Sequence, residues 1–325
     1  MTPSTVVMDA PIVIDQGKGL PLWRPENFEK SFLGPTTLRI GLEKSRNLMT
    51  IRVAQAVGMN KIADMAKRLG VVDELQPVLA MALGAAETTV LRLTSAYAQI
   101  DNGGKKVTPT LIDRVQDKLG HTIFRHDERP CDGCSGMSWS NQPAPNIPDT
   151  SEQLVDPLSD YQVVSMMQGV VQRGTGAIVG TLGRPLAGKT GTTNNSNDVW
   201  FVGFSPDLAL GCYMGYDQPR SLGSQATGGD IIAPLFRDFM AQALKDQPNV
   251  PFRVPPGLRL VRVNLQTGQR AQPGDDKVIL EAFKPGTEPN GETQVIMGVG
   301  VGGGSGVGTS QVPAAQGGSS SGGLY

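Results

Sequence analysis

The sequence has no apolar run long enough to cross a bilayer. Its best stretch, Val78–Ala86, meets Glu87 after less than half of the ~20 residues that a spanning helix needs. Met1–Asp9 offers neither the basic start nor the apolar core of a signal peptide, so export is not supported by the chain's own sequence. An excess of one charge is also missing. The 29 Lys and Arg residues against 30 Asp and Glu leave a net charge of -1, which excludes a global field for nucleic acid or an anionic membrane. Cysteine is scarce. Cys131, Cys134 and Cys212 are an odd count that excludes a dense disulfide scaffold. The Cys131-x-x-Cys134 pair leaves three readings open: a local bridge, a zinc site completed by His121 and His126, or free thiols. The 39% apolar content is low for a packed chain of 325 residues, so part of it is expected to lie outside a core.

What is present divides into a helical first third and a strand-bearing second half. Thr36 or Thr37 can cap a helix through Leu38, Leu42, Ile51 and Val53 that stops at Gly58. Asn60 can cap a second helix, ending at Gly70. The Ala-rich stretch Pro77–Ile100 predicts further helix with a break near Gly84. Pro109–Val115 and His121–Phe124 read as a hairpin, and Ser159 caps a helix over Asp160–Gln172. Val199–Phe204 and Leu208–Met214 form a second hairpin about Ser205-Pro206-Asp207, and Asp230 opens a last helix ending at Leu244. Leu258–Leu265 and Lys277–Phe283 add two strands. The expected organisation is a domain over 1–250, a small extended or β extension over 251–297, and a Gly- and Ser-rich disordered tail over 298–325.

Two short segments carry chemistry. In Gly188-Lys189-Thr190-Gly191-Thr192-Thr193, a strand edge would aim the Lys189 ammonium and the Thr192 hydroxyl at one groove. Gly191 keeps its wall open, and backbone N–H groups there can hold a carboxylate or a developing oxyanion. Taken alone, the tripeptide is also compatible with a glycine-rich surface turn. Gly183 to Thr190 formally matches the nucleotide-loop pattern, but no helix signal follows Thr190 to receive phosphate. The second segment, Ser45-Arg46-Asn47, lies within the first predicted helix and can line a cleft if that helix bends, or be a solvated face beside Glu43 and Lys44.

Together, in order and in their flanks, these segments resemble the transpeptidase domain of class A penicillin-binding proteins. Ser45-Arg46-Asn47 is similar to the family's Ser-x-Asn motif, and Lys189-Thr190-Gly191-Thr192-Thr193 to its Lys-Thr-Gly motif, continued by Asp198-Val199-Trp200-Phe201-Val202-Gly203-Phe204. Gly169-Val170-Val171-Gln172-Arg173-Gly174-Thr175-Gly176 and Gly228-Gly229-Asp230 add to the likeness. The resemblance implies an α+β fold of the penicillin-binding and serine β-lactamase-like type, a helical lobe packed on an antiparallel sheet. It implies D,D-transpeptidase chemistry on D-Ala-D-Ala stem peptides and β-lactam binding, without a cofactor. Implied partners are peptidoglycan, β-lactams and cell-wall synthesis proteins, in the periplasm beside the inner membrane.

By the same resemblance Ser45 relays a proton, Asn47 orients the peptide backbone and Lys189 supplies positive potential. Thr190, Gly191, Thr192 and Thr193 bind substrate, with Thr192 on its carboxylate. One family element is missing. No lysine here has a serine or threonine three positions before it, so the Ser-x-x-Lys nucleophile is absent. The expectation is a fold incomplete at its N-terminus, inactive alone, with an apolar trench between the helices of Pro77–Ile100 and the strands near Val199. The alternative is a non-catalytic peptidoglycan-binding or scaffold protein on the same fold.

Overall fold

The structure, a computed structural model, describes residues 1–17, 19–131, 141, 145 and 147–301. Cys134 and most of the expected tail lie outside the described residues.

The central element is an antiparallel sheet of β5 (Ala187–Thr192), β6 (Asp198–Ser205) and β7 (Leu208–Gly215), in that order, so β5 is an edge strand. In β6, Val199, Phe201, Val202 and Phe204 are all buried, because helices cover both faces. Phe201 packs against Phe236 of α7 (Ala233–Ala243), with ring centroids 4.5 Å apart. Phe204 meets Tyr97 of α4 (Val90–Asp101) edge to face on the other side, and α5 (Pro157–Arg173) lies against β5. Burying each such ring stabilises the fold by roughly 1.5–3 kcal/mol. The expected α+β layering is thus present. Val199 itself is covered, 0% exposed within the α7 cluster.

A second sheet orders β10 (Val295–Ile296), β1 (Val6–Asp9) and β2 (Gly34–Thr37), and the short hairpin β3 (Arg114–Gln116) and β4 (Thr122–Arg125) stands apart. β3 is shorter than the Pro109–Val115 expectation. The hairpin β8 (Arg259–Asn264) and β9 (Val278–Phe283) matches the two strands expected there. It is tied back to the helices. Glu281 of β9 is buried against Arg39 of α1 (Leu38–Glu43), which also donates to the Ser165 carbonyl on α5 at 2.8 Å.

The helix expected from Thr36 to Gly58 is two helices, α1 and α2 (Asn47–Val57), separated by a turn at Lys44–Arg46. Thr37 does cap α1, accepting from the Ile40 N–H. Next, α3 (Met59–Arg68) follows Gly58 without a side-chain cap, so Asn60 lies inside it. The stretch Pro77–Ile100 holds only a 3-10 turn, Leu79–Leu83, closed by Gly84 in the left-handed region, before α4 begins at its Thr89 cap. Asp156, not Ser159, caps α5: its carboxylate accepts from the Ser159 N–H at 2.9 Å. Thr227 caps a π turn over Gly228–Ile232 that leads into α7, so Asp230 does not open that helix. The short α6 (Ala177–Gly180) completes the set. Cys131 is disulfide-bonded, which removes it from the zinc and free-thiol readings.

Candidate active site

The turn that carries Ser45 ends α1 through paired backbone bonds. The Ser45 N–H donates to the Leu42 carbonyl at 3.1 Å and the Arg46 N–H to the Gly41 carbonyl at 2.9 Å. That pattern needs a left-handed residue between helix and exit, a place glycine usually fills. Ser45 fills it instead, with φ +54°. A non-glycine residue held there costs about 1–2 kcal/mol, and such strain gathers at functional sites.

Arg46 holds the turn in place. Its guanidinium, 2% exposed, donates to Asp9 at 2.8 Å, to Glu29 at 2.8 Å and to the Ser31 carbonyl at 2.5 Å. Asn27 supplies the cap that α2 lacks on its own residues: its side-chain oxygen accepts from the Leu48 N–H at 3.2 Å. Asn47 donates to the Glu26 carbonyl at 2.9 Å, fastening the same loop.

Lys189 reaches this turn from β5. Its ammonium donates to Ser45 Oγ at 2.7 Å and to the Thr190 carbonyl at 2.9 Å, joining two segments 144 residues apart. Burial pulls the Lys189 pKa down to about 8. No carboxylate offsets that cost by pairing with it among the described residues. A desolvated cation with only neutral oxygens around it is a strong attractor for an anionic ligand group.

The hydroxyls along β5 are each held differently. Thr190 Oγ1 lies 2.7 Å from Thr175 Oγ1, in the loop after α5. Thr192 Oγ1 accepts from the Gly228 N–H at 3.0 Å. Thr193 is exposed and closes the β5–β6 connection, its hydroxyl accepting from the Asp198 N–H at 2.8 Å. Gly228 has to be glycine, because a Cβ there would stand 2.6 Å from the Gly191 carbonyl and 2.4 Å from that of Trp200. Gly191 itself runs beside Trp200, with only 3.2 Å between a Cβ at 191 and the Trp200 Cβ.

Of the residues singled out from sequence, the fold therefore brings Ser45 and Lys189 into direct contact, with Thr190, Gly191 and Thr192 on the same strand. Asn47 and Thr193 bond to their own neighbourhoods, and no hydrogen bond joins Asn47 to Ser45 or Lys189. Thr175 and Gly228, which steady β5 from outside, were assigned no role by the sequence reading. Their signal was the glycines flanking them, in Gly174-Thr175-Gly176 and Gly228-Gly229. Beyond Thr190 the chain continues as strand, not helix, as the argument against a nucleotide loop requires. His121 sits on the exposed β3–β4 hairpin, 3.0 Å from Asp117.

The arrangement can donate two hydrogen bonds from one cation, leave the Ser45 proton free for transfer, and present the open edge of β5 to an extended peptide.

Comparison with known proteins gives consistent matches. A model of the penicillin binding protein transpeptidase domain matches residues 1–241. The chain is 47% identical over 288 residues to penicillin-binding protein 1A of Rickettsia bellii, covering 87% of this chain and 36% of that protein. It is 34% identical over 314 residues to penicillin-binding protein 1A of Pseudomonas aeruginosa, covering 87% of this chain and 38% of that one. It thus spans little more than a third of the length of these curated relatives. Among solved structures, penicillin-binding protein 1A from Haemophilus influenzae superposes with a TM-score of 0.75 at 28% identity, covering 89% of this chain and 46% of that chain.

Proposed function

This chain belongs to the penicillin-binding protein transpeptidase family, and from that membership we propose that it forms the substrate-holding wall of a serine D,D-transpeptidase. Its substrates are peptidoglycan stem peptides ending in D-Ala-D-Ala, and β-lactams enter the same groove as acyl donors. The work is done on the periplasmic side of the inner membrane, among other cell-wall synthesis proteins.

One observation carries this reading: the 2.7 Å bond from Lys189 to Ser45 Oγ across 144 residues of sequence. The donor peptide lies along β5 with its terminal carboxylate toward Thr192 and the Lys189 charge. Gly191 leaves room for its backbone, and the Thr192 N–H donates to the oxyanion. A serine attacks the penultimate D-Ala carbonyl, and the C–N bond to the terminal D-Ala breaks. Ser45 passes a proton to the departing amine while Lys189 holds its hydroxyl oxygen. An amine from a neighbouring stem then attacks the ester and the serine leaves with a proton. Asn47 orients the incoming backbone, and Thr190 and Thr193 keep β5 and its turn in register.

The attacking serine is not in a Ser-x-x-Lys motif of these 325 residues, so the chain alone is catalytically incomplete. The test joins it to a Ser-x-x-Lys segment from a relative and follows labelling by fluorescent penicillin. Ser45→Ala and Lys189→Met are each expected to slow labelling by at least about 10²-fold, the lower bound for a positioned proton-transfer group. Labelling at the unmodified rate in both variants would remove the roles given to them. Failure of the joined protein to label at all would favour a non-catalytic peptidoglycan-binding or scaffold role.

A further inference from the structure

A cavity of about 280 Å³ lies beyond the start of β5, at the opposite end of that strand from Thr192. It is formed by the segment entering β5, the β6–β7 turn, and the chain leaving α7. Its volume falls just below the ~300–1,000 Å³ typical of pockets for drug-sized molecules, so an occupant must be small. Leu208, Leu244 and Val250 give it apolar walls.

Five polar residues, Arg184, Ser205, Asp207, Gln247 and Asn249, break that apolar lining. Ser205 is 5% exposed, and its hydroxyl is buried without a hydrogen-bond partner in the protein. Arg184 lines the cavity with its guanidinium steadied by one bond, donated to the Gln247 carbonyl at 3.0 Å, and keeps other N–H groups to give. Asp207 lines it from the hairpin turn. Among the described residues Arg184 and Asp207 pair neither with each other nor with any other charged side chain. Asp207 also helps push the nearby Asp101 carboxyl up, so a cation beside it would relieve a like-charge contact.

We infer that this cavity is a binding site for a small zwitterion with an apolar side chain, of the size of a free aliphatic amino acid. Its carboxylate meets Arg184 and its ammonium Asp207. The side chain packs on Leu208, Leu244 and Val250. A phosphate or dicarboxylate is disfavoured by Asp207, and an uncharged hydrocarbon leaves the Arg184 and Asp207 charges without a counter-charge. The inference does not depend on the transpeptidase reading, because none of these residues belongs to the Ser45–Lys189 site.

The experiment titrates the full chain with leucine and follows backbone amide resonances by two-dimensional NMR. Saturable shifts are expected at Ser205, Leu208 and Val250. Two truncated probes, 4-methylpentanoate without the ammonium and isoamylamine without the carboxylate, are each expected to bind at least tenfold more weakly. Arg184→Met and Asp207→Asn should each cost leucine a similar factor. The three-probe comparison on unmodified protein needs no variant to fold. Absence of saturable shifts with leucine overturns the site, and equal binding of leucine and 4-methylpentanoate overturns its zwitterion selectivity.

Discussion

Replacing Ser45 by glycine and by alanine separates its backbone strain from its hydroxyl. Both changes delete the oxygen that Lys189 holds, but only glycine relaxes the φ of +54°. Ser45→Gly is therefore expected to be more stable than Ser45→Ala by about 1 kcal/mol in urea unfolding, while both slow penicillin labelling of the joined protein. Equal stabilities would show that the turn is unstrained. At Lys189, burial holds the pKa at about 8 against an ordinary 10.5. Between those values the unfolded chain binds a proton that the folded chain does not, so stability rises with pH across that window. Below pH 8 the folded state carries the full cost of a desolvated ammonium. Relative to Lys189→Met, the unmodified chain should gain about 1–3 kcal/mol between pH 7.5 and 10.5, measured by urea unfolding at each pH. A flat difference would mean that the ammonium is solvated. These two residues were legible in the sequence because each sits in a recognisable triplet. Arg46 and Thr175 were not: their partners at Asp9 and Thr190 lie 37 and 15 residues away, and nothing local announces them.

At the scale of elements, the predicted helices survive where a cap marks the start, as Thr37 does for α1, and fail where the break has no marker. The exit from α1 uses a serine where glycine or asparagine would have signalled a stop, so Ser45-Arg46-Asn47 read as continuous helix. β2 was missed because Gly34-Pro35 opens it. It is an edge strand, where a missing N–H is tolerated. The α4 region shows a different effect. Its last residue, Asp101, has one carboxylate oxygen buried without a partner. Desolvation first, then Asp207 and Asp160, push its pKa up to about 8. The folded chain thus binds a proton that the unfolded chain releases above about pH 4, and this contribution is lost as pH rises to 8. Asp101→Asn should match the unmodified chain near pH 4 and exceed its stability at pH 8 by at least about 1.4 kcal/mol, the worth of one pKa unit. Urea unfolding at the two pH values checks this. A gap that does not widen with pH would place that carboxyl in water.

In the whole molecule, β8–β9 was readable as a pair of strands around the Thr267-Gly268 turn, but its docking was not. Glu281 looks like a solvent-facing charge in sequence, yet it is 1% exposed and bound to Arg39. Arg39 also pairs with Glu43, and Glu43 in turn with Arg173, so residues of α1, α5 and β9 share one ionic network beneath the Ser45 turn. Breaking one member of such a network leaves an uncompensated buried charge, typically costing 3–5 kcal/mol. We therefore propose that residues 251–297 stabilise the same body as the Ser45–Lys189 site, beside which they run. We propose that these 325 residues hold the groove without its nucleophile and that Ser45 relays a proton there. Intact-mass spectrometry of the chain after prolonged incubation with penicillin tests this most directly. Unmodified protein is expected, and a stoichiometric acyl adduct mapped to Ser45 or any other serine would overturn this assignment.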